Sequence, residues 1–173
     1  MTKKYKTIVI DPPWPGPTEH RTCKGGGKTL IPYQTMTGIQ LASLRVGDIA
    51  DDDAQLWLWA TTRGIADAFS LMSLWGFGYA GMFIWKKQPN LGPWIRHDSE
   101  FLLRGVRRMA KIQLPAPQQT HEWPRPKRHS EKPAEAYAMI AEKSPGPRID
   151  IFARQSRPGF EAWGNEAPLI PNK

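Results

Sequence analysis

The chain has 173 residues, and 24 Lys and Arg against 16 Asp and Glu give it a formal net charge of +8 at pH 7. This length suits a single domain over residues 1–173, because two independent cores would be cramped. A hydrophobic content of 40% with eight Trp excludes global disorder. The positive charge predicts a polyanionic partner such as nucleic acid.

Several classes of protein are excluded by what the sequence lacks. The only cysteine, Cys23, leaves no internal disulfide and favours a reducing compartment, so we expect a cytoplasmic protein. The first ten residues do not resemble a signal peptide, and no apolar run approaches the ~20 residues of a membrane span, so we expect no membrane contact. Four scattered His and one Cys give no metal-ligand spacing, and we expect no metal site.

The predicted elements alternate between strands and helices. Residues 7–10 form a β-branched apolar run that predicts a buried strand, which ends at the prolines that follow Asp11. The further elements, in chain order, are a helix over 37–44 capped by Thr37, a strand over 55–60, a helix over 64–75 stopped by Gly76, strands over 82–85 and 100–103, a helix over 133–143, and a strand over 148–153. This alternation predicts an α/β fold with a mostly parallel sheet.

Ligands of parallel α/β sheets bind beyond the carboxyl ends of the strands. Asp11, Lys86 and Arg154 follow predicted strands directly and are expected at that edge. The region Asp11-Pro12-Pro13-Trp14 carries the sharpest signal there. It is therefore the first candidate for a catalytic site.

The tetrapeptide Asp11-Pro12-Pro13-Trp14 suits methylation of an aromatic exocyclic amine, whose lone pair is delocalised into its ring. The Asp11 carboxylate could accept one amine hydrogen and the Pro12 carbonyl the other, which would localise that lone pair on nitrogen. Two consecutive prolines stiffen the turn, and Trp14 could stack on a flipped base. The competing interpretation is ordinary turn chemistry beside a core Trp.

The motif belongs to an ordered set that extends over nearly the whole chain. DPPW is followed by PYQTM (32–36), LWLWAT (56–61), WGF and FIWKK (75–87), HSEKP (129–133) and IFAR with PGFEAWGNE (151–166). This order resembles the DPPW family of 6-methyladenine methyltransferases, which includes the catalytic subunit of the eukaryotic mRNA adenosine methyltransferase and small bacterial and phage proteins. The resemblance implies a Rossmann-like S-adenosylmethionine-dependent methyltransferase fold in permuted motif order, and adenine methylation in nucleic acid.

The resemblance also implies the residues of the site. Asp11 and Lys132 would lie at the junction of cofactor and target amine, and Tyr33 beside the target base. His97 and Glu100 match a segment near the active-site loops and are candidate substrate contacts. The remaining candidates for holding S-adenosylmethionine are Arg154, Ser156, Arg157, Asn165 and Glu166. From the residues alone, Lys132 could equally be a solvated lysine at a helix start, and Asn165 a turn residue.

Recognition of nucleic acid would depend on loops 15–32, 87–98 and 105–130. Two basic groups lie in or beside the last of them: Arg104, Arg107, Arg108 and Lys111, and then Arg125, Lys127 and Arg128. Larger relatives carry a cofactor-contacting segment upstream of the DPPW strand. Because ten residues precede Asp11, we expect that contact to be missing or to come from elsewhere.

Three alternatives remain open at this stage. Gly25-Gly26-Gly27-Lys28-Thr29 hints at a phosphate-binding loop, but Thr22 occupies the position where that pattern needs glycine, so an ATPase is disfavoured. A catalytically silent nucleic-acid-binding partner subunit is also known in the resembled family, although here DPPW is intact. The third alternative is adenine methylation in RNA, although the small basic form favours DNA as the substrate. The chain could also form a homodimer.

Overall fold

The structure, a computed structural model, describes residues 3–15, 34–88, 97–128 and 130–164. Its centre is a seven-stranded sheet in the order β5-β3-β4-β2-β1-β6-β7. The strands are β1 (Tyr5–Ile10), β2 (Ala50–Ala60), β3 (Gly78–Lys86), β4 (Ser99–Val106), β5 (Thr120–His121), β6 (Arg148–Ile151) and β7 (Glu161–Trp163). The helices are α1 (Gly38–Ala42), α2 (Val46–Ile49), α3 (Ile65–Leu74) and α4 (Ala134–Lys143).

Most strand pairs in this sheet are parallel. β1 pairs in parallel with β2 and β6, β6 with β7, and β3 with β5. β4 runs antiparallel to both of its neighbours, β2 and β3. The start of β4 therefore lies at the same edge of the sheet as the ends of β1, β3 and β6. The expected α/β class with a mostly parallel sheet is confirmed.

Alternation along the central strands separates two apolar layers. Ile8 and Ile10 of β1 face a cluster that includes Leu71 and Met72 of α3. Val9 faces the opposite layer, where the Trp57 and Trp59 rings meet α4. Successive side chains of a strand point to opposite faces, so these buried strands are apolar at most positions, with Thr7 and Gln55 as buried polar exceptions. Helices covering both faces give the doubly wound arrangement that leaves one sheet edge open for ligands.

The sequence signals for helix ends are found where predicted. Thr37 caps α1 in a capping box, its hydroxyl accepting from the Gln40 backbone N–H at 3.2 Å while the Gln40 side chain accepts from the Thr37 backbone N–H at 2.8 Å. Gly76 has a φ of +81° just after α3, a conformation that costs glycine nothing. Pro133 occupies the cap position of α4. The predicted helices thus agree with the structure to within two residues at most ends.

The differences lie in short elements and in the bounds of three strands. β3 begins at 78 rather than at the predicted 82, and β4 ends at 106 rather than at the predicted 103. β5 and β7 have two and three residues, too few to show a period of two. The four-residue α2 shows no helical spacing for the same reason. β2 begins at Ala50, five positions before the predicted start at 55. Its first residues include three aspartates at 51–53, of which Asp52 and Asp53 are exposed, so this part of the strand shows no apolar run.

Candidate active site

Asp11 lies at the open edge of the sheet, immediately after β1. Its backbone N–H donates to the Ile151 carbonyl of the neighbouring strand at 3.5 Å, which aligns the ends of β1 and β6. Pro12 is buried, and its carbonyl accepts the Trp14 N–H at 2.8 Å in a tight turn. A carbonyl oxygen has a second lone pair, so this bond leaves Pro12 able to accept another hydrogen. The tetrapeptide therefore forms a stiff bend that presents a carboxylate.

Lys132 joins the two carboxylates predicted for the site. Its Nζ lies 3.0 Å from Oδ2 of Asp11 and 3.3 Å from Oε2 of Glu100. The Lys132 side chain is 8% exposed, whereas those of Asp11 and Glu100 are 17% and 16% exposed. The same Nζ lies 5.6 Å from the centre of the Trp59 ring. The structure thus excludes a solvated lysine and brings together three residues that are far apart in the chain.

Burial and mutual attraction set the charge states of this cluster. Burial raises the pKa of Asp11 above its ordinary value, and the opposing attraction of Lys132 is too weak to cancel it. Burial also acts on Glu100, but the ammonium groups of Lys132 and Lys87 outweigh it and lower the pKa of that carboxyl. Burial would lower the pKa of Lys132, and the two carboxylates raise it instead. The lysine is therefore held protonated, while Asp11 is the carboxylate that most readily takes up a proton.

Trp14 is anchored beneath the start of α3. Its indole Nε1–H donates to the Trp59 carbonyl at 3.1 Å, and its ring packs so closely on Gly64 that a Cβ there would lie 2.9 Å from it. The side chain is half-buried against the core. Stacking of Trp14 on a target base remains a prediction. The contacts show that the ring also fixes the bend that carries Asp11.

A cleft of about 340 Å³ opens beside Asp11. Arg154 forms part of its wall, and this guanidinium favours the ionised form of Asp11. The other lining residues are Pro13, Gln34, Thr35, Met36, Gln40, Leu44, Phe152, Ala153 and Trp163. Phe152 has a φ of +63°, a conformation that costs a non-glycine residue about 1–3 kcal/mol. Such strain is concentrated at ligand sites, and here it places an aromatic ring in the wall of the cleft.

Arg157 and Ser156 lie differently from Arg154. The Arg157 guanidinium packs 3.7 Å from the centre of the Tyr137 ring, and its Nε lies 3.9 Å from Oδ2 of Asp150. Its Nη2 donates to the Lys132 carbonyl at 3.1 Å. Ser156 is exposed and does not line the cleft. Binding of the cofactor by these two residues remains a prediction. In the structure Arg157 fixes the backbone of Lys132.

The remaining predicted residues fall outside this cluster or outside the described chain. His97 is half-buried at the foot of β4, with no contact to Asp11 or Lys132 among the described hydrogen bonds and ion pairs. Tyr33, Asn165 and Glu166 lie outside the described residues, as does the glycine run 25–27. Their roles stay predictions from the resemblance.

Lys87, Phe152 and Trp163 belong to the site but were not predicted. Lys86 lies at the end of β3 as expected, but its side chain is exposed and pairs with Glu122 at 2.9 Å. Lys87 follows the buried side of the strand and pairs with Glu100. The alternation of Phe83, Trp85 and Lys87 on one face is the signal that identifies the second lysine.

The two basic groups also differ. Arg104 donates to the Gln55 side chain at 3.1 Å and to the Ala110 carbonyl at 2.9 Å, so it supports the sheet. Arg107 donates to the Trp75 carbonyl at 3.0 Å and packs on the Phe77 ring. By contrast, the second group, Arg125, Lys127 and Arg128, is exposed on the segment that leads into Lys132. Only the second group consists entirely of exposed side chains.

Asp150 is a buried carboxyl behind the site whose ionisation should affect stability. It is 4% exposed and accepts the Tyr137 hydroxyl at 3.2 Å, and burial raises its pKa to about 7. Between about pH 4 and pH 7 the unfolded chain loses this proton first, so the free energy of unfolding falls as pH rises through that window. In Asp150→Asn the free energy of unfolding should no longer fall for this reason.

We expect the stability of Asp150→Asn relative to the parent to improve by about 2 kcal/mol between pH 5 and pH 8. Urea unfolding at both pH values measures the change. Asp53→Asn, at an exposed carboxyl of β2, is the matched control and should show no such trend. A constant difference at the two pH values would mean that Asp150 ionises at its ordinary pKa.

Within the described ranges, no three His, Cys, Asp or Glu side chains are grouped closely enough to hold a metal ion. Among the same residues, no helix is both long and apolar enough to cross a bilayer.

Comparison with known proteins identifies the family. Residues 5–166 match the family model MT-A70. The type II methyltransferase M.MunI of Mycoplasma sp is 31% identical over an alignment that covers 96% of this chain and 79% of that protein. The N(6)-adenosine-methyltransferase catalytic subunit METTL3 of Homo sapiens and the METTL3 subunit of Danio rerio are 28% and 29% identical over 94% of this chain. This chain spans only 28% of the length of either METTL3 protein. The resemblance to the DPPW-motif methyltransferases is therefore confirmed, and the chain belongs to the MT-A70 family.

Proposed function

We propose that this chain transfers a methyl group from S-adenosylmethionine to the exocyclic amine of adenine in nucleic acid, with DNA as the favoured substrate. The observation that carries the proposal is the Asp11 carboxylate, held by Lys132 at 3.0 Å in the wall of a cleft at the open edge of the sheet. This is the edge at which ligands of doubly wound sheets bind.

The size and the lining of the cleft support S-adenosylmethionine as the cofactor. Its volume of about 340 Å³ lies at the lower end of the roughly 300–1,000 Å³ typical of small-molecule pockets. The Phe152 and Trp163 rings offer an apolar surface for the adenine of the cofactor, and Arg154 offers a guanidinium for its carboxylate. Gln34 offers an amide group for its hydroxyls and its amine, and the NH2 group of Gln40, whose oxygen accepts from Thr37, can still donate to a hydroxyl. When bound there, the cofactor supplies an electrophilic methyl group on a positively charged sulfur.

The residues around Asp11 account for activation of the amine. The Asp11 carboxylate accepts one amine hydrogen, and the free lone pair of the Pro12 carbonyl accepts the other. The nitrogen lone pair is then localised and could attack the methyl group that the cofactor would supply, and the electrons of the C–S bond would remain on sulfur. The nitrogen now carries the positive charge, and one of its hydrogens leaves as a proton, which Asp11 is placed to accept. Because burial raises the pKa of Asp11, this carboxylate is a stronger proton acceptor than an exposed aspartate.

The names of the relatives agree with this chemistry. METTL3 is named an N(6)-adenosine-methyltransferase, and M.MunI a type II methyltransferase. The predicted adenine methyltransferase activity is supported at this level. The preference for DNA stays the prediction made from the sequence.

An incorporation assay tests the proposal. The chain is incubated with S-adenosylmethionine carrying a labelled methyl group and, separately, with double-stranded DNA, single-stranded DNA and RNA. The proposal expects label on adenine in DNA, and none with Asp11→Ala. Label in RNA alone would mean that RNA, and not DNA, is the substrate. Binding of nucleic acid without any incorporation would instead identify a silent partner subunit.

The exposed basic group before Lys132 should bind the phosphates of the substrate. The double variant Lys127→Gln/Arg128→Gln should raise KM for DNA. It should also reduce the slope of log affinity against log salt concentration by roughly two, because each phosphate contact releases about one counterion and two contacts are lost. Lys4→Gln/Lys6→Gln removes the same charge beside the start of β1, at the opposite end of that strand from Asp11.

Fluorescence anisotropy with a labelled duplex measures the salt dependence of affinity for both double variants. The control Lys4→Gln/Lys6→Gln should keep the slope of the parent protein. Equal slopes in the two double variants would mean that only the total charge of the protein matters. The contact segment would then have to be sought elsewhere.

A further inference from the structure

Lys87 is the fourth member of a chain of alternating charges that ends at Asp11. Its Nζ pairs with Oε1 of Glu100, and both side chains are largely buried, at 18% and 16% exposed. The other carboxylate oxygen of Glu100 lies 3.3 Å from Lys132, which in turn lies 3.0 Å from Asp11. The order is thus ammonium, carboxylate, ammonium, carboxylate.

The four charged groups come from four different parts of the fold. Lys87 follows β3, Glu100 lies in β4, Lys132 precedes α4, and Asp11 follows β1. Lys87 and Glu100 meet because β4 runs antiparallel to β3, which places the first residues of β4 opposite the last residues of β3.

The position of Lys87 is fixed independently of its charge partner. Its Nζ lies 4.9 Å from the centre of the Trp85 ring, and its backbone N–H donates to the Asp98 carbonyl. Trp85 itself stands opposite Glu100 in the β3–β4 ladder, and its indole donates to the Trp123 carbonyl at 2.9 Å. A long flexible lysine held on a buried ring loses little further entropy when it forms its ion pair.

We propose that Lys87 is a positioning residue for methyl transfer, which anchors Glu100 so that Lys132 remains on Asp11. The inference rests on the proposed function and adds to it a residue outside the DPPW motif. Two carboxylates and two ammonium groups give the buried chain a net charge of zero. Without Lys87 the chain would carry one uncompensated negative charge, and Oε1 of Glu100 would lack its partner.

Loss of Lys87 would change the ionisation of Asp11 and its contact with Lys132. The uncompensated charge would draw Lys132 toward Glu100 and make ionisation of both carboxylates harder. The other charged groups that influence Asp11 are Arg154, which favours its ionised form, and Asp150 behind β1. Neither contacts Lys87 among the described ion pairs. The removal of Lys87 should therefore affect Asp11 through Glu100 and Lys132.

The test compares two adjacent lysines. Lys87→Met removes the charge and keeps the apolar stem on Trp85, whereas Lys86→Met removes an exposed lysine that pairs with exposed Glu122. We expect Lys87→Met to lower kcat by about tenfold or more with little change in KM for S-adenosylmethionine. The acid limb of its pH profile should move up by about one pH unit. Lys86→Met should match the parent, and Lys87→Arg should restore most of the rate.

A double variant separates charge balance from a structural role. Lys87→Met/Glu100→Gln removes one charge of each sign, so its acid limb should return toward that of the parent even where its rate does not. A lower melting temperature with an unmoved acid limb in Lys87→Met would overturn the proposal, as would equal kcat in Lys87→Met and Lys86→Met. If the parent protein itself transfers no methyl group, the proposed function fails instead, and the two failures are distinguishable.

Discussion

Replacement of Asp11 by Asn is expected to lower the rate of adenine methylation by about a thousandfold while the chain remains folded. Asn preserves the shape of the side chain but removes the negative charge that localises the amine lone pair and stabilises positive charge developing on nitrogen. Because burial raises the pKa of Asp11, its loss relieves a desolvation cost while depriving Lys132 of one partner. These effects oppose each other, and the free energy of unfolding should change by only about 1 kcal/mol.

Initial rates of label incorporation at saturating cofactor measure this effect. Asp67→Asn, which alters an exposed carboxyl in the first turn of α3, should keep the parental rate. If the rate of the parent protein falls on acidification at a pH above the ordinary pKa of an aspartate, this agrees with the raised pKa of Asp11. If Asp11→Asn stays within tenfold of the parent, the carboxylate does not activate the amine.

The central strands could be predicted because burial on both faces forces an unbroken apolar run. Residues 8–10 and 56–60 show such runs, and they lie in β1 and β2. β7 gives no comparable signal, because three residues at a sheet margin need only a backbone partner. The antiparallel direction of β4 is likewise absent from its own composition and depends on which neighbours it meets.

The site was predictable as a set of residues and not as a network. Motif order indicated Asp11, Glu100 and Lys132, but only the fold shows that one ammonium bridges the two carboxylates. Arg157 illustrates the opposite difficulty. An arginine that could bind a cofactor and one that packs on Tyr137 look identical in sequence, because both uses need the same guanidinium.

Lys132→Met is expected to have the second large effect, on stability as well as on activity. The substitution keeps an apolar stem over Trp59 but leaves Asp11 and Glu100 as neighbouring buried carboxylates without their shared cation. Breaking a buried ion pair from one side typically costs about 3–5 kcal/mol. Methyl transfer should be lost together with this stability, since Asp11 would no longer be held in its ionised form.

The pH dependence of that cost identifies its origin. In the parent, Lys132 and Lys87 lower the pKa of Glu100, so the stability they give is present at neutral pH and is lost on acidification. In Lys132→Met both carboxylates would have raised pKa values, and the folded state would be penalised increasingly as pH rises. The deficit in unfolding free energy should therefore be larger at pH 8 than at pH 5, with Lys111→Met, at an exposed lysine, as the unaffected control. An equal deficit at both pH values would assign the role of Lys132 to its packing on Trp59 rather than to its charge.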